Sequence, residues 1–392
     1  SSADAAVRAS AAADLRHACE NVGFFYLQNH GVPSQDIERC FDAAKRFFAL
    51  PLEDKMYGYV PRSKQNRGYV AMNEEQVDPN GGKDLHEAFD LSHDVALDDP
   101  EVLRGCWLSG PNVWPERAGT EFRQTLEQYY RSMLELSHRL YGAFAMALDL
   151  PETYFDAMLK RPGSFMRILH YPPHPPMTAE RADQADQLGI GAHSDYQCFT
   201  ILAQDEVGGL EVRNAKGDWI AAPPITGAYV VNIGDMMMRW SNDRFASTQH
   251  RVINRSGRER YSIPFFCGID YDVVIEALPS CIGPNATAKY PPVNAHDYVE
   301  LQRLTRGCSD GCTRQCGSHV REKSADALIR SGRHHASAGE LKASLRTYII
   351  VFKKVYLSPH LIRRMICRTE ARTAIANRGH AKRLYSLPAT RA

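Results

Sequence analysis

The chain has 392 residues, of which 44% are hydrophobic, and its formal net charge is +1. This length and composition allow a large core, either in one big domain with elaborations or in two domains. No run approaches the roughly 20 consecutive apolar residues that a membrane helix needs, so we expect no membrane-spanning segment.

The cysteines indicate the redox compartment of the protein, and the charge distribution separates a body from a tail. Ten cysteines are scattered irregularly, whereas disulfide frameworks are typical of small secreted domains, so we expect reduced thiols in a cytoplasmic protein. From Gly317 onward Lys and Arg far outnumber Asp and Glu. Residues 307–392 are therefore interpreted as a basic, poorly ordered tail, separate from an acidic body.

Helical periodicity dominates the first 160 residues. One helix is predicted over Ala5 to Val22, followed by a short buried strand over Phe24 to Leu27. Ser34 is the predicted N-cap of a second helix. Residues 60–115 are rich in Gly, Pro, Asn and Asp and predict loops with one or two strands. The clearest helix spans Phe122 to Leu148, with apolar residues every three or four positions.

From Ser164 the period shifts towards two, and short strands follow one another to about residue 280. The predicted strands are Met166 to Tyr171, Phe199 to Ala203, Gly209 to Arg213, Trp219 to Ala221, Ala228 to Ile233, His250 to Asn254 and Tyr261 to Gly268. Such a series favours a double-sheet jelly roll or barrel. We therefore predict a mainly β fold with α elements. It has a 1–160 N-terminal region, a 161–290 β core and a C-terminal helix within 291–306.

Two potential metal ligands lie two residues apart in Gly191-Ala192-His193-Ser194-Asp195. On an extended backbone, His193 and Asp195 point to the same face, and His250 begins another predicted strand. Two histidines and one carboxylate suit Fe(II) and leave coordination positions open. Zinc more often takes cysteine or a third histidine and has no redox chemistry. A lone His-x-Asp also has ordinary turn and surface uses.

An arginine and a hydroxyl share one face of the strand that begins Arg260-Tyr261-Ser262. A buried unpaired charge is very costly, and a guanidinium matches a carboxylate in bidentate fashion, so Arg260 and Ser262 indicate an anionic ligand. Tyr171 is a candidate for a second hydroxyl on that anion. The alternatives are a structural salt bridge from Arg260 to Asp235 or Asp243, and a core tyrosine bonded to backbone.

Seven short segments stand out along the chain: Asn21-Val22-Gly23-Phe24-Phe25-Tyr26, Asn29-His30-Gly31-Val32-Pro33, His193-Ser194-Asp195, Gly208-Gly209-Leu210-Glu211-Val212, Val231-Asn232-Ile233-Gly234-Asp235, His250-Arg251-Val252 and Arg260-Tyr261-Ser262. Together they resemble the isopenicillin N synthase-like branch of the Fe(II)/2-oxoglutarate dioxygenases, over about residues 5 to 305. The H-x-D, distant H and R-x-S set is specific in combination, although each part alone is not.

The resemblance implies a double-stranded β-helix core (jelly-roll or cupin-like), flanked by N-terminal helices and one long helix. It implies that His193, Asp195 and His250 bind Fe(II), and that Arg260, Ser262 and Tyr171 bind the far carboxylate of the cosubstrate 2-oxoglutarate. With O2 as second cosubstrate, the enzyme would decarboxylate 2-oxoglutarate to succinate and CO2 and hydroxylate, or desaturate, a small metabolite. Family members often have Asn where Leu169 stands, and they begin with a short strand ahead of the first helix.

The sequence gives less information about the substrate site than about the metal site. Arg167, Phe266, Asn66 and Tyr69 are the candidates. Arg167 shares the strand face of Tyr171, with a surface charge as the alternative. Phe266 shares the face of Arg260, with core packing as the alternative. Asn66 and Tyr69 lie in the loop region from which family members often draw specificity.

Other functions stay open at this point. A sibling enzyme of the isopenicillin N synthase type consumes O2 without 2-oxoglutarate, and a non-catalytic binding protein would act through its basic tail. A zinc hydrolase is disfavoured because no acidic base stands beside the His-x-Asp. Cys308, Cys312 and Cys316 have unusual spacing for zinc. We expect a small-molecule substrate, no nucleic-acid partner and a monomer.

Overall fold

The computed structural model of the chain describes residues 5–63, 65–106, 108–173, 188–284 and 286–305. Its helices are α1 (Ala5–Asn21), α2 (Ser34–Phe48), α3 (Leu52–Lys55), α4 (Pro100–Leu103), α5 (Gly119–Ala147), α6 (Asp235–Trp240) and α7 (Ala295–Thr305). Its strands are β1 (Phe24–Gln28), β2 (Gly68–Val70), β3 (Glu87–Ser92), β4 (Phe165–Tyr171), β5 (Ile190–His193), β6 (Phe199–Gln204), β7 (Leu210–Arg213), β8 (Trp219–Ala221), β9 (Ala228–Ile233), β10 (His250–Val252), β11 (Arg260–Cys267), β12 (Val274–Ile275) and β13 (Val293–Asn294). None of the described helices has the length and apolar character needed to cross a membrane.

Two antiparallel sheets face each other. The large sheet has the strand order β1-β9-β6-β11-β4-β3-β2, and the small sheet has the order β5-β10-β7-β8. Side chains from both sheets, such as Leu169 of β4, Leu210 of β7 and Val252 of β10, meet in one buried apolar cluster. This arrangement confirms the predicted double-stranded β-helix core.

The outer face of the large sheet is covered by the long helix α5. Its apolar stripe lies on the sheet: the Tyr130 ring packs edge-on against Phe265, with centroids 5.2 Å apart, and the Phe144 ring lies 4.8 Å from Phe199. The Tyr141 hydroxyl donates to the Cys267 carbonyl oxygen at 3.1 Å. Because α5 covers one face, the alternate residues of the central strands are left to face the small sheet.

The predicted boundaries need two corrections. Ser34 is not the N-cap, because the Pro33 carbonyl already accepts hydrogen bonds from the Asp36 and Ile37 amides, so the helix ladder begins one residue earlier. β5 is a strand that the residue pattern did not predict. The division at residues 160 and 290 stays a prediction, and the large sheet contains strands from both sides of residue 160. The predicted tail and the Cys308, Cys312 and Cys316 cluster lie outside the described residues.

A buried ionic cluster centred on Glu87 joins α3 to the large sheet. The Lys55 ammonium donates to Glu87 Oε2 at 2.7 Å, and the Tyr69 hydroxyl donates to the same oxygen. His170 Nδ1 lies 2.8 Å from Glu87 Oε1. Burial raises the pKa of Glu87, but hydrogen bonds from His170, Lys55 and Tyr69 outweigh it and lower that pKa.

Glu87→Gln should destabilise the protein by about 3 kcal/mol at pH 7, because it leaves the Lys55 ammonium buried without a counter-ion. A carboxylate with a lowered folded pKa stabilises above its unfolded pKa of about 4.3 and loses that contribution as the pH falls through the folded value. The difference between parent and variant should therefore shrink in acid. Urea unfolding at several pH values measures both effects.

The matched control is Glu121→Gln, which removes an exposed ion pair in which the Glu121 side chain is 79% exposed and the Arg46 side chain 59%. That change should cost less than about 1 kcal/mol. Equal losses from the two substitutions would contradict the role assigned to the Glu87 cluster.

Candidate active site

Three side chains from the small sheet and its following loop converge on one point. His193 ends β5, His250 begins β10, and the two residues are register partners across these strands. Asp195 lies in the loop after β5, and its Oδ1 is 3.7 Å from the Nε2 atom of each histidine. The three potential ligand atoms all lie within 4.8 Å of one another. This spacing allows them to bind a single metal ion from one side.

Backbone carbonyls orient both imidazoles. His193 Nδ1 lies 2.8 Å from the Gly191 carbonyl oxygen, and His250 Nδ1 lies 3.2 Å from that of Thr248. Since a carbonyl only accepts, each Nδ1 carries a proton and donates it to the backbone, and each Nε2 faces Asp195. Phe24 packs edge-on against the His250 ring at 5.3 Å and further restricts its rotation.

The second oxygen of Asp195 is held by the large sheet. Its Oδ2 accepts a hydrogen bond from the Thr200 hydroxyl and one from Asn232 Nδ2, the latter at 2.7 Å. Burial raises the pKa of Asp195, but His250 and His193, together with these two hydrogen bonds, lower it overall. Asp195 therefore stays ionised, with Oδ1 directed towards the histidines. Sequence reasoning missed Thr200 and Asn232, although each is a polar residue inside an apolar strand.

A second group of side chains surrounds the fully buried Arg260. Its Nε donates to the Gly208 carbonyl, and its terminal nitrogens donate to Ser262 Oγ and Gln204 Oε1, each at 3.2 Å. The guanidinium lies 4.5 Å from the centre of the Tyr171 ring, whose hydroxyl is 3.4 Å from Ser262 Oγ. The structure thus brings Arg260, Ser262 and Tyr171 together as the sequence predicted.

The two carboxylates weighed as salt-bridge partners of Arg260 are engaged elsewhere. Asp235 accepts hydrogen bonds from Ser194 and Ser247, and Asp243 pairs with Lys289 at 2.9 Å. Within the described part of the chain, Arg260 forms no ion pair with a carboxylate. Asp205 attracts it only from beyond salt-bridge contact. A fully buried guanidinium with no carboxylate in direct contact favours an anionic ligand.

One cavity of about 270 Å³ joins the two groups. Alternate residues of two neighbouring strands line it, because side chains on one face of a strand recur every second position. They are Phe165, Arg167, Leu169 and Tyr171 of β4, and Arg260, Ser262, Pro264 and Phe266 of β11. The convergent histidines and Asp195 line the same cavity.

Three of the four predicted substrate residues line this cavity, namely Arg167, Phe266 and Asn66. Arg167 is held in ion pairs by Glu75 and Asp90. The predicted substrate role of Tyr69 needs correction, because Tyr69 belongs to the Glu87 cluster and is absent from the cavity lining. On a strand as short as β2, the sequence does not show which face a residue takes.

Comparison with known proteins gives the family. Residues 162–269 match the 2OG-Fe(II) oxygenase superfamily, and residues 1–117 match the non-haem dioxygenase in morphine synthesis N-terminal family. The 2-oxoglutarate-Fe(II) type oxidoreductase hxnY of Emericella nidulans is 42% identical over 299 residues, which cover 76% of this chain and 84% of that protein. The 2-oxoglutarate-dependent dioxygenase citB of Monascus ruber is 38% identical over 270 residues, covering 68% and 80% of the two chains.

Solved structures agree with this assignment. A full-length Neurospora crassa protein in complex with alpha-KG has a TM-score of 0.68 and 30% identity, covering 77% of this chain and 93% of that chain. The same protein was solved with alpha-KG and thymine (TM-score 0.67, 29% identity, coverage 77% and 93%). The chain therefore belongs to the 2OG-Fe(II) oxygenase superfamily, as predicted, and is an Fe(II)/2-oxoglutarate-dependent dioxygenase.

Thr200→Val should lower the affinity for Mn(II) or Fe(II) by about 10- to 100-fold, because Asp195 then loses a hydrogen bond that orients it as a ligand. Anaerobic calorimetric titration of the metal-free protein measures this affinity. Thr200→Ser keeps the hydroxyl and is the matched control, for which we expect affinity close to the parent. Unchanged affinity in Thr200→Val would show that Asn232 alone orients the carboxylate.

Proposed function

We propose that His193 Nε2, Asp195 Oδ1 and His250 Nε2 bind the iron of this dioxygenase. The donor set fits Fe(II), since it offers two neutral imidazoles and one carboxylate. Asp195 binds through one oxygen, because Thr200 and Asn232 hold the other. With all three protein ligands on one side, the positions facing the cavity stay available to small molecules.

Arg260, Ser262 and Tyr171 are the proposed site for the far carboxylate of 2-oxoglutarate. The observation that supports this role is the fully buried guanidinium with no ion-pair partner in the described chain. Two hydroxyls lie beside it and add neutral donors for the same carboxylate. Leu169 stands where family members often have Asn, and it adds only apolar surface to the cavity.

The bound iron, 2-oxoglutarate and O2 supply the oxidation: 2-oxoglutarate becomes succinate and CO2, and a C–H bond of the substrate is hydroxylated or desaturated. The residues of this chain position and shield the reactants. Arg260 orients the cosubstrate by its far carboxylate. Apolar side chains such as Leu202 and Leu210 line the walls and exclude water.

The proposed substrate is a small metabolite, with hydroxylation as the proposed outcome. The cavity of about 270 Å³ lies near the lower end of the range for small-molecule sites. The Neurospora crassa complexes, one with thymine and one with 5-formyluracil, support a substrate of this size. We also propose a cytoplasmic monomer without a nucleic-acid partner. The described cysteines are all unpaired, which supports a reducing compartment.

Anaerobic addition of Fe(II) and then 2-oxoglutarate should produce a visible metal-to-ligand charge-transfer band. His193→Ala should abolish the band by removing a ligand. Arg260→Ala should raise the 2-oxoglutarate concentration for half-saturation by about 30-fold or more, because it removes the cation that pairs with the carboxylate. Arg258→Ala is the matched control, since Arg258 is 61% exposed in its pair with Glu206.

Each possible failure has its own meaning. Bound iron without a band, combined with turnover that needs no 2-oxoglutarate, would point to an oxidase of the isopenicillin N synthase type. Failure to bind iron would point to a non-catalytic binding protein. A normal band with unchanged half-saturation in Arg260→Ala would overturn only the cosubstrate contacts.

A further inference from the structure

We propose that the substrate is a small planar molecule without net charge, selected by an ion network formed by Glu75, His86, Asp90 and Arg167. This inference rests on the proposed function and specifies its substrate class. Three of its observations are independent of the iron site: the pairing of Arg167, the hydrogen bonds of His86 and the stacked phenyl rings beside them.

Arg167 lies away from the proposed cosubstrate site, whereas the His86 ring lies 5.8 Å from the Tyr171 ring and connects the two. Arg167 and Tyr171 are four residues apart on β4, so their backbone positions are separated by about 13 Å. Both side chains face the cavity. The cavity therefore has one end at Arg260 and Tyr171, and another at Arg167.

The guanidinium of Arg167 is fully engaged with carboxylates. Its Nε donates to Asp90 Oδ1 and its Nη2 to Asp90 Oδ2, both at 2.7 Å. Its Nη1 donates to Glu75 Oε2 at 2.7 Å, and its Nη2 also donates to Glu75 Oε1 at 3.0 Å. All four carboxylate oxygens thus accept from one arginine. An anionic substrate would have to displace a carboxylate from Arg167, which would leave a partly buried negative charge without its partner.

His86 is held by two acceptors of this chain. Its Nε2 lies 3.0 Å from Glu75 Oε2, and its Nδ1 lies 2.8 Å from the Gly189 carbonyl oxygen. Arg167 and His86 are therefore both engaged, and neither is left to pair with an anionic ligand. Glu75 and Asp90 are in turn held by Arg167, so a cationic ligand would have to compete with its guanidinium for them.

The neighbouring wall is aromatic. Phe165 and Phe266 are register partners on β4 and β11, and their rings stack with centroids 4.4 Å apart and planes inclined by 19°. Both line the cavity beside Arg167, and the Asn66 amide lines it as well. A planar ring stacks on such a wall, and polar substituents without net charge can hydrogen-bond to Asn66 and to the edge of the Glu75 carboxylate.

The test uses three planar probes of nearly equal shape and different charge: benzamide (neutral), benzoate (anionic) and benzamidine (cationic). Each is titrated anaerobically into the Fe(II)- and 2-oxoglutarate-loaded enzyme, and its binding is followed by the change in the charge-transfer band. We expect benzamide to bind at least about tenfold more tightly than either charged probe, because a charged probe would have to break an existing ion pair of the network.

Glu75→Gln changes the network charge by one positive unit. It should therefore improve benzoate relative to benzamide by about tenfold, while Glu121→Gln leaves the ratio unchanged. Phe266→Leu should weaken all three probes together. The band without any probe reports on the iron and cosubstrate site in every variant.

The outcomes separate the two proposals. No band in the parent would refute the proposed function itself. A normal band overturns the substrate class if benzoate or benzamidine binds most tightly, if none of the probes binds, or if Glu75→Gln leaves the preference unchanged. Tightest binding of benzamidine would specifically show that the carboxylates at this end of the cavity attract a cation despite their pairing with Arg167.

Discussion

A buried carboxylate bridges the two sheets of this protein. Asp195 directs one oxygen towards His193 and His250 of the small sheet, and its other oxygen accepts hydrogen bonds from Thr200 and Asn232 of the large sheet. A buried charge is tolerated only when such partners offset its lost hydration. The partners come from four strands, so the geometry of the proposed iron site depends on the packing of the two sheets. The position of Asp195, in the loop after β5, is fixed by these contacts.

A buried arginine and a partly buried arginine on adjacent strands give the cavity its polarity. Arg260 forms no ion pair in the described chain, whereas two carboxylates surround Arg167. The first therefore attracts an anion, and the second presents a compensated surface. In the proposed function, a dicarboxylate cosubstrate therefore binds in one orientation, with its far end at Arg260. At the opposite end of the cavity Arg167 is already paired, so this end favours a molecule whose charge differs from that of the cosubstrate.

The sequence predicted those features that depend on local periodicity or on motifs within one strand. The helix α5 and most core strands follow from spacing, and the Arg260–Ser262 pair follows from alternation along β11. Glu75 and His86 could not be found in this way, because their roles depend on where the 71–86 segment lies against β4 and β5. Tyr69 was a substrate candidate only because it lies in the 60–115 loop region, and a three-residue strand has too little alternation to show that its side chain points to Glu87 instead. Ser34 is not the N-cap, because the Pro33 carbonyl accepts the first hydrogen bonds of the helix. Sequence rules for N-caps favour residues with side-chain acceptors and therefore pass over proline.

An anaerobic crystal structure with Fe(II) and 2-oxoglutarate, in which anomalous scattering locates the iron, tests the proposed site most directly. We expect one iron peak at bonding distance from His193 Nε2, Asp195 Oδ1 and His250 Nε2, with Asp195 Oδ2 still hydrogen-bonded to Thr200 and Asn232. We also expect the far carboxylate of 2-oxoglutarate on Arg260. Iron bound elsewhere, or a cosubstrate carboxylate paired with Arg167, would contradict the proposed site.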